Sequence, residues 1–289
     1  IQTGAQPMQR YGVAAPARVP LAVIVIVPGY GESAEVWFET AADLIGAGYT
    51  VWILDRAGQG GSERYAAPRD AGSVTSFGPD VANLRNLVRQ VIRPEPATPV
   101  ILIAHADGAV TALRALQTGL RVDGLIAASP ALAARERRDT ARGVFGITPL
   151  ARPQPWTRDS PDDHAAGLTH DPWRGQVRKA WQTANPDLRM AKAGTAWTSA
   201  YAAASRAAEA EASRIRTPIL MLNPSAPERL VCSRAAACEA RRINGARAAL
   251  HLESDLWRQV FMQEVSAFTE AQVTKQRQLA RTVKRDNIM

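Results

Sequence analysis

Residues 99–112 have the composition of a turn that presents a nucleophile, but the nucleophile itself is absent. Val100–Ile103 is a short apolar run typical of a strand buried on both faces, and helix-forming residues follow Gly108. A sharp strand-to-helix turn of this kind has the pattern small-x-Ser-x-Gly, because small residues let the helix pack on the strand. Ala104 and Gly108 keep the small positions, whereas Ala106 stands where the serine belongs. A methyl group cannot attack a carbonyl carbon, so the segment predicts the geometry of covalent catalysis without its reactive atom.

Strand and helix signals alternate along the first 130 residues. The predicted strands are Leu21–Val27, Thr50–Leu54, Val100–Ile103 and Leu125–Ala128. Predicted helices lie between them at Ala34–Ile45 and Pro79–Ile92. Strands that alternate with helices predict an α/β protein with a doubly wound, mostly parallel sheet and right-handed crossovers.

The alternation stops at about residue 133 and resumes with a strand at Thr217–Leu222. Residues 134–215 are rich in Ala, Arg, Pro, Asp and Trp, with helical patches and no clear strand signal. We therefore expect one α/β core, built from 1–133 and 216–289, with 134–215 inserted as a helical cap. After the returning strand we expect a helix at about 233–242, then Ala248–Leu252, and then an amphipathic helix from about residue 255.

The chain carries a formal net charge of +8 in 289 residues. Its basic residues are dispersed and no nucleic-acid-binding motif accompanies them, which excludes nucleic acid as a predicted partner. An arginine-rich solvated surface accounts for the charge. A more specific alternative is that the positive charge attracts an anionic membrane face or an acidic partner. No apolar run approaches the roughly 20 residues that span a bilayer, and no motif indicates a cofactor.

Two cysteines, Cys232 and Cys238, lie six positions apart. Neither has a His or Cys neighbour at the spacing of metal ligands, so no metal site is predicted. If Ser233 caps a helix, Cys232 lies outside that helix and could turn back onto Cys238; otherwise both are small buried thiols. A disulfide would fit a periplasmic or secreted protein, and free thiols a cytoplasmic one. The first residue is Ile1 rather than Met, which fits a removed leader or a trimmed chain.

Several segments taken together resemble the α/β-hydrolase superfamily, and more narrowly its bacterial lysophospholipase and monoacylglycerol-lipase branch. The likeness extends from about residue 20 to residue 265. Pro28–Glu32 is similar to the family's oxyanion loop, Leu54–Ser62 to its Asp-x-x-Gly-x-Gly-x-Ser loop, and Ala104–Gly108 to its elbow. Leu168–Arg174 and Asn185–Arg189 resemble the cap of the lysophospholipase branch.

The resemblance implies a catalytic triad in the chain order Ser, acid, His. Ala106 stands at the serine. Glu228 lies at or near the acid position, with a surface ion pair to Arg229 as the other interpretation. Ala248 stands where the family has its histidine. His251, three residues later, is either a displaced base or an ordinary, partly buried histidine.

Without the serine there is no acyl-enzyme, and without the histidine there is no general base. The backbone N–H groups of Tyr30 and Asp107 would still converge as an oxyanion site able to hold a carbonyl or a carboxylate. The sequence therefore predicts a non-catalytic pseudohydrolase that binds a lipid-like ligand or a protein partner. The alternative is a serine esterase or lysophospholipase seen as an inactivated variant. Trp173 and Trp197 in the predicted cap are the candidate ligand contacts.

Overall fold

The structure is a computed structural model that describes residues 1–65, 67–132, 155–159, 167–225 and 230–286. Within these residues, seven strands form one sheet in the order β1-β3-β2-β4-β5-β6-β7. The strands are β1 Tyr11–Ala14, β2 Ala22–Val27, β3 Tyr49–Leu54, β4 Val100–His105, β5 Gly124–Ala128, β6 Ile219–Asn223 and β7 Cys238–Arg242. Neighbouring strands are parallel except for β1, which runs antiparallel to β3. The predicted α/β fold with a mostly parallel sheet is confirmed.

The helices of the described residues pack on both faces of this sheet. They are α1 Phe38–Gly46, α2 Gly78–Asn86, α3 Gly108–Gln117, α4 Val177–Ala184, α5 Thr195–Ala210 and α6 Asp255–Asp286. A 3-10 turn, Ala34–Trp37, leads into α1, and a wider π-helical turn, Leu87–Ile92, continues α2. The long helix predicted at Pro79–Ile92 is therefore one α-helix with a widened last turn.

The central strands β2, β4 and β5 are buried along their whole length. Successive side chains of a strand point to opposite faces, so each strand supplies both layers of the core. On one face Val25 and Leu102 pack in a cluster that includes residues of α2 and α3. On the other face Ile24 and Ile103 pack in a cluster that includes residues of α1 and α6. This two-sided burial holds the carboxyl end of β4, where the candidate site lies.

The sequence analysis and the structure differ at the edges of the sheet and after its last strand. The segment predicted as a helix at 233–242 contains β7, and Ala248–Leu252 contains a single 3-10 turn at Leu250–Leu252. The edge strand β1 was not predicted. Both edge strands expose most of their side chains, so they join the sheet by backbone pairing and carry no alternating apolar pattern.

The described residues between β5 and β6 contain helices and no strand. The second half of α5 packs on α3, where the Gln117 side chain donates a hydrogen bond of 2.6 Å to the carbonyl oxygen of Ala208. Ala208 and Ala212 are completely buried in the core cluster on that face. The helical layer on the sheet thus includes part of the segment that the sequence places in the cap.

None of the helices described here combines the length and the apolarity that a membrane span requires.

We expect Gly108→Ala to lower the free energy of unfolding by about 2–3 kcal/mol, because an added Cβ would press on the backbone carbonyl oxygens of Val27 and Pro28. Gly46→Ala is the matched control, since a Cβ at Gly46 meets no atom within 4 Å. That substitution should leave stability unchanged or raise it by about 0.4–1 kcal/mol. Urea unfolding followed by circular dichroism measures both. Equal midpoints for the two variants would contradict the close helix-on-strand packing.

Candidate functional site

The turn between β4 and α3 has the sharp geometry that the sequence predicts. Ala106 adopts a φ of 48°, in the left-handed region that non-glycine residues seldom occupy. Its N–H donates to the carbonyl oxygen of Ala128 at 3.0 Å, and its own carbonyl oxygen accepts from the N–H of Ala131 at 3.1 Å. The end of β5 therefore holds the strained turn in place. The prediction that Ala106 lies at a strand-to-helix turn with a strained backbone is confirmed.

The segment after β7 brings Ala248 to this elbow. The carbonyl oxygen of Ala248 lies 3.2 Å from Nε2 of His105, the residue immediately before Ala106. The positions that the resemblance assigns to the nucleophile and the base therefore lie close together. Each carries a methyl group, and neither methyl can attack a substrate or move a proton.

The buried carboxylate of Glu32 joins the loop after β2 to the elbow. Its Oε2 accepts hydrogen bonds from the N–H of Gly29 at 2.8 Å and from Nε1 of Trp37 at 3.2 Å. Its Oε1 lies 2.9 Å from Nδ1 of His105. The sequence analysis assigned Glu32 no role, although its place in the Pro-Gly-Tyr-Gly-Glu loop is a signal that could have suggested one. One side chain therefore fixes both the oxyanion loop and the end of β4.

The His105 ring faces an oxygen at each nitrogen, Glu32 at Nδ1 and the Ala248 carbonyl at Nε2. Burial lowers the pKa of His105, but the charge of Glu32 and the hydrogen bonds to Glu32 and Ala248 outweigh burial and raise the pKa overall. The raised pKa favours the protonated ring, which carries an N–H at each nitrogen and therefore suits an acceptor on each side. His105 therefore supports the turn and has no ring nitrogen left to take a proton from a substrate.

His251 is completely buried, so the prediction of a partly buried ring is wrong. It stacks on Trp37 with ring centroids 3.8 Å apart and an interplanar angle of 2°. Its Nε2 lies 3.6 Å from Oε1 of Glu32. A general base must reach the proton that it abstracts, and a ring enclosed under Trp37 does not reach a substrate. The geometry does not favour His251 as a displaced base.

Glu32, His105 and His251 bring their ligand atoms within 4.8 Å of one another. Two imidazoles and a carboxylate are a donor set that could hold a divalent metal ion. Here Oε1 of Glu32 lies 2.9 Å from Nδ1 of His105 and 3.6 Å from Nε2 of His251, so the carboxylate lies between the two rings. The sequence analysis missed this cluster because the three residues lie far apart in the chain.

The Asp107 side chain accepts the hydrogen bond of one of the two expected oxyanion donors, the backbone N–H of Tyr30. Its Oδ1 accepts the backbone N–H of Tyr30 at 2.8 Å. The sequence analysis expected that N–H to point at a bound carbonyl or carboxylate. The carboxylate found there belongs to the elbow itself. A ligand oxygen would have to displace Asp107 before it could bind the Tyr30 amide.

A buried guanidinium holds Asp107 in this position. Arg56 is 1% exposed, and its Nη1 donates to Oδ2 of Asp107 at 2.7 Å, while its Nε donates to Asp80 at 2.7 Å. Burial lowers the pKa of Arg56, but the charges of Asp80 and Asp107 raise it overall, so the guanidinium stays charged. The sequence analysis did not identify this ion-pair network. The sequence feature that could have indicated the network is the charged residue Arg56 inside the Asp55–Ser62 loop.

The resemblance assigns the acid to the loop after β6, and Glu228 falls outside the described residues. That loop ends at a disulfide between Cys232 and Cys238, with Cα atoms 4.9 Å apart. Cys238 is the first residue of β7, so the bridge ties the loop to the edge strand. The two cysteines are close in space, as predicted. The helix expected at 233–242, on which that prediction depended, is instead a turn followed by β7.

The two candidate tryptophans have different environments. Trp197 is 7% exposed, and its ring lies 4.6 Å from that of Tyr30 and 5.3 Å from that of Tyr201. It packs α5 onto the oxyanion loop, and its role as a ligand contact stays a prediction. Trp173 is 86% exposed. Of the two, Trp173 is the one whose ring surface is mostly exposed.

The chain is similar to known proteins in sequence and in overall fold. The sequence model of the family described as Serine aminopeptidase, S33 matches residues 18–264. Lysophospholipase L2 of Escherichia coli (strain K12) is 36% identical over 95 residues, which cover 33% of this chain and 28% of that protein. The match therefore spans less than a third of that relative.

Solved structures share the fold at low sequence identity. A monoglyceride lipase variant from Saccharomyces cerevisiae, in complex with a substrate analog, superposes with a TM-score of 0.70 at 15% identity, covering 94% of this chain and 93% of that one. A monoacylglycerol lipase from Paleococcus ferrophilus gives 0.64 at 19% identity, covering 92% and 99%. The resemblance to the lysophospholipase and monoacylglycerol-lipase branch is confirmed.

Asp107→Ala should lower the free energy of unfolding by about 3–5 kcal/mol, because it leaves Arg56 buried with one partner fewer and the Tyr30 N–H without its acceptor. Asp187→Ala removes an ion pair to Arg69 in which both side chains are more than 60% exposed, and should cost less than about 1 kcal/mol. Chemical denaturation compares the two. An equal, small cost would show that Asp107 is not held in the buried network.

Proposed function

Since this chain belongs to the serine aminopeptidase S33 family of α/β-hydrolases and carries Ala106 and Ala248 at the elbow, we propose that it binds a lipid-like ligand without hydrolysing it. The observation that carries the proposal is the pair of methyl groups at the nucleophile and base positions. Loss of either group in a serine hydrolase costs on the order of 10⁶ in rate, and the losses do not add because the triad acts as a unit. The retained frame has no atom to start the reaction.

The Asp107 carboxylate supports the same conclusion from a separate direction. Stabilising the oxyanion of a tetrahedral intermediate requires donors aimed at the oxygen, and one lost donor costs roughly 10²–10³ in rate. At Tyr30 the donor is already paired with a negative charge, which would also repel an oxyanion. The site is therefore organised around its own carboxylate rather than around a substrate carbonyl.

We place ligand capture on the part of the inserted segment that precedes the second half of α5, and we interpret its described residues as a cap over the carboxyl end of the sheet. Tyr30 links the elbow to this segment, because its hydroxyl donates to the carbonyl oxygen of Ala191 at 2.9 Å. Trp173, in the same segment, exposes 86% of its surface. An exposed tryptophan gives a large apolar contact for a ligand, and a lipid-like molecule fits both that contact and the lipid substrates named for the relatives.

The second candidate function is a serine esterase or lysophospholipase of which this chain is an inactivated variant. The preserved elbow favours it, because a serine at position 106 would inherit the strained turn without rearrangement. The native gene distinguishes the two. A serine codon at 106 together with a histidine codon at 248 would establish the enzyme, whereas alanine codons at both positions support natural loss.

We expect the chain as it stands to hydrolyse neither p-nitrophenyl butyrate nor a monoacylglycerol above background. Ala106→Ser alone should stay at background, because the new hydroxyl has no base. Ala106→Ser with Ala248→His should exceed the single variant by about 100-fold or more, the lower end of what a general base supplies. Initial rates measured on the three purified proteins test this. Full turnover from Ala106→Ser alone would contradict the assignment of Ala248 and show that another base serves the site.

Trp173→Ala should weaken the binding of a fluorescent lysophosphatidylcholine by about tenfold, since an exposed aromatic anchor contributes about 1–2 kcal/mol or more to binding. Val19→Ala is the matched control, because Val19 is 85% exposed and lies outside the proposed cap. Fluorescence titration of both variants and the parent gives the comparison. Equal affinity in all three, or no binding by the parent, would overturn the lipid assignment and leave a protein partner as the ligand class to test.

A further inference from the structure

Three buried side chains from separate segments of the chain meet next to the elbow. Glu32 lies in the loop after β2, His105 is the last residue of β4, and His251 lies in the 3-10 turn after β7. Glu32 and His251 are completely buried, and His105 is 4% exposed. Within the described part of the chain, no other three His, Cys, Asp or Glu side chains bring their ligand atoms within 4.8 Å of one another. The fold therefore gathers two imidazoles and one carboxylate in a small volume away from solvent.

The distances between the ligand atoms suit one shared metal ion. Zinc binds imidazole nitrogen at about 2.0–2.1 Å and carboxylate oxygen at about 2.0–2.2 Å, so tetrahedral ligand atoms lie roughly 3.3–3.5 Å apart. Oε1 of Glu32 lies 2.9 Å from Nδ1 of His105 and 3.6 Å from Nε2 of His251. These two separations lie on either side of the tetrahedral value. Side-chain shifts of about 1 Å would place all three atoms around one ion.

The groups behind two of the ligands orient them for a metal. Nε2 of His105 faces the carbonyl oxygen of Ala248 at 3.2 Å, an acceptor that suits a proton on Nε2 and a lone pair on Nδ1. Oε2 of Glu32 accepts from the N–H of Gly29 and from Nε1 of Trp37, which leaves Oε1 directed at the two rings. A ligating histidine usually donates its other ring N–H to a carbonyl or a carboxylate, and a ligating carboxylate is itself hydrogen-bonded. Both arrangements are present here.

The third ligand, His251, is held at a distance that a metal ion spans and a proton does not. Its ring is fixed by stacking on Trp37, with centroids 3.8 Å apart. The ring meets that of His105 at an angle of 68°, with centroids 4.7 Å apart. The 3.6 Å between Nε2 of His251 and Oε1 of Glu32 is longer than a hydrogen bond. Two ligand atoms on one tetrahedral ion have a separation close to this value.

Gly29 leaves space beside the cluster. A Cβ at this position would lie 3.2 Å from Nδ1 of His105, 3.5 Å from Oε2 of Glu32 and 3.3 Å from the methyl carbon of Ala106. The glycine therefore leaves a gap that borders two of the ligand residues and the elbow. A tetrahedral ion with three protein ligands takes a small fourth ligand such as water, and this gap is the place for it.

We propose that Glu32, His105 and His251 bind a divalent first-row metal ion, for which zinc best suits the donor set. Without the ion, a proton on Nδ1 of His105 links that ring to Glu32. The ion takes the place of this proton, which leaves to solvent. Because the three ligand residues are buried, the ion is structural and ties the loop after β2, the elbow and the turn after β7 together. The proposal does not depend on whether the chain binds a lipid.

The test is titration of the full chain, without an affinity tag and after treatment with a chelator, with Zn²⁺ in competition with a chromophoric chelator. The parent should bind one ion per chain. H251Q should bind zinc at least about 100-fold more weakly, since loss of a partner behind a ligand already costs 10–100-fold. The matched control is H170Q, which removes the histidine of another His–Glu pair, with His170 2.8 Å from Glu253, and should bind like the parent.

X-ray absorption of the zinc-loaded parent gives a second readout that requires no variant. The proposal expects two imidazole nitrogens and one carboxylate oxygen at about 2.0–2.2 Å from the ion. No zinc binding by the parent, or a different set of ligands, would overturn the proposal. Equal affinity in H251Q and the parent, or equal loss in H251Q and H170Q, would place the ion elsewhere and would also overturn it. Circular dichroism checks the fold of both variants, and if H251Q does not fold, the absorption spectrum decides.

Discussion

The buried ion pairs of Arg56 hold together the parts of the molecule on which the candidate site depends. Arg56 follows β3, Asp80 lies in the first turn of α2, and Asp107 follows the elbow. A buried guanidinium is tolerated because both carboxylates accept its hydrogen bonds, and removal of either partner would leave charge in a medium that solvates it poorly. The pairing fixes the Asp107 carboxylate, and that carboxylate in turn occupies the Tyr30 amide. The availability of the Tyr30 N–H in the oxyanion loop therefore depends on the ion pairs of Arg56 with Asp107 and Asp80.

The fold and the position of the elbow follow from the sequence because they depend on local patterns. Apolar runs bounded by turn residues predicted β2 to β6, and the spacing of Ala104, Ala106 and Gly108 predicted the turn. The edge strands were not predicted correctly, since β1 and β7 pair through their backbones and expose most of their side chains. Periodicity carries no signal when a strand has no buried face.

The candidate site was predictable in its positions and not in its contacts. The resemblance located Ala106, Ala248, Tyr30 and Asp107, and the structure brings His105, beside Ala106, into contact with Ala248. The resemblance did not show that the side chain of Asp107 reaches the Tyr30 amide, because that contact depends on a rotamer held by Arg56. The enclosure of His251 and the burial of Trp197 likewise depend on partners distant in the sequence. Long-range packing of this kind has no signature in a single sequence.

The elbow frame and the reactive groups are separable, because different residues provide them. Gly108, Glu32 and His105 maintain the turn, and none of them is required to attack a substrate. A fold of this kind can therefore persist after the nucleophile and base are replaced, and it can serve binding on other surfaces.

A crystal structure of the chain soaked with a monoacylglycerol tests the central claim most directly. The account predicts that the Asp107 carboxylate stays on the Tyr30 N–H and on Arg56, at the 2.8 Å and 2.7 Å separations described here, with no ligand oxygen bonded to that amide. A ligand carbonyl on the Tyr30 amide, with Asp107 rotated away from Arg56, would contradict it.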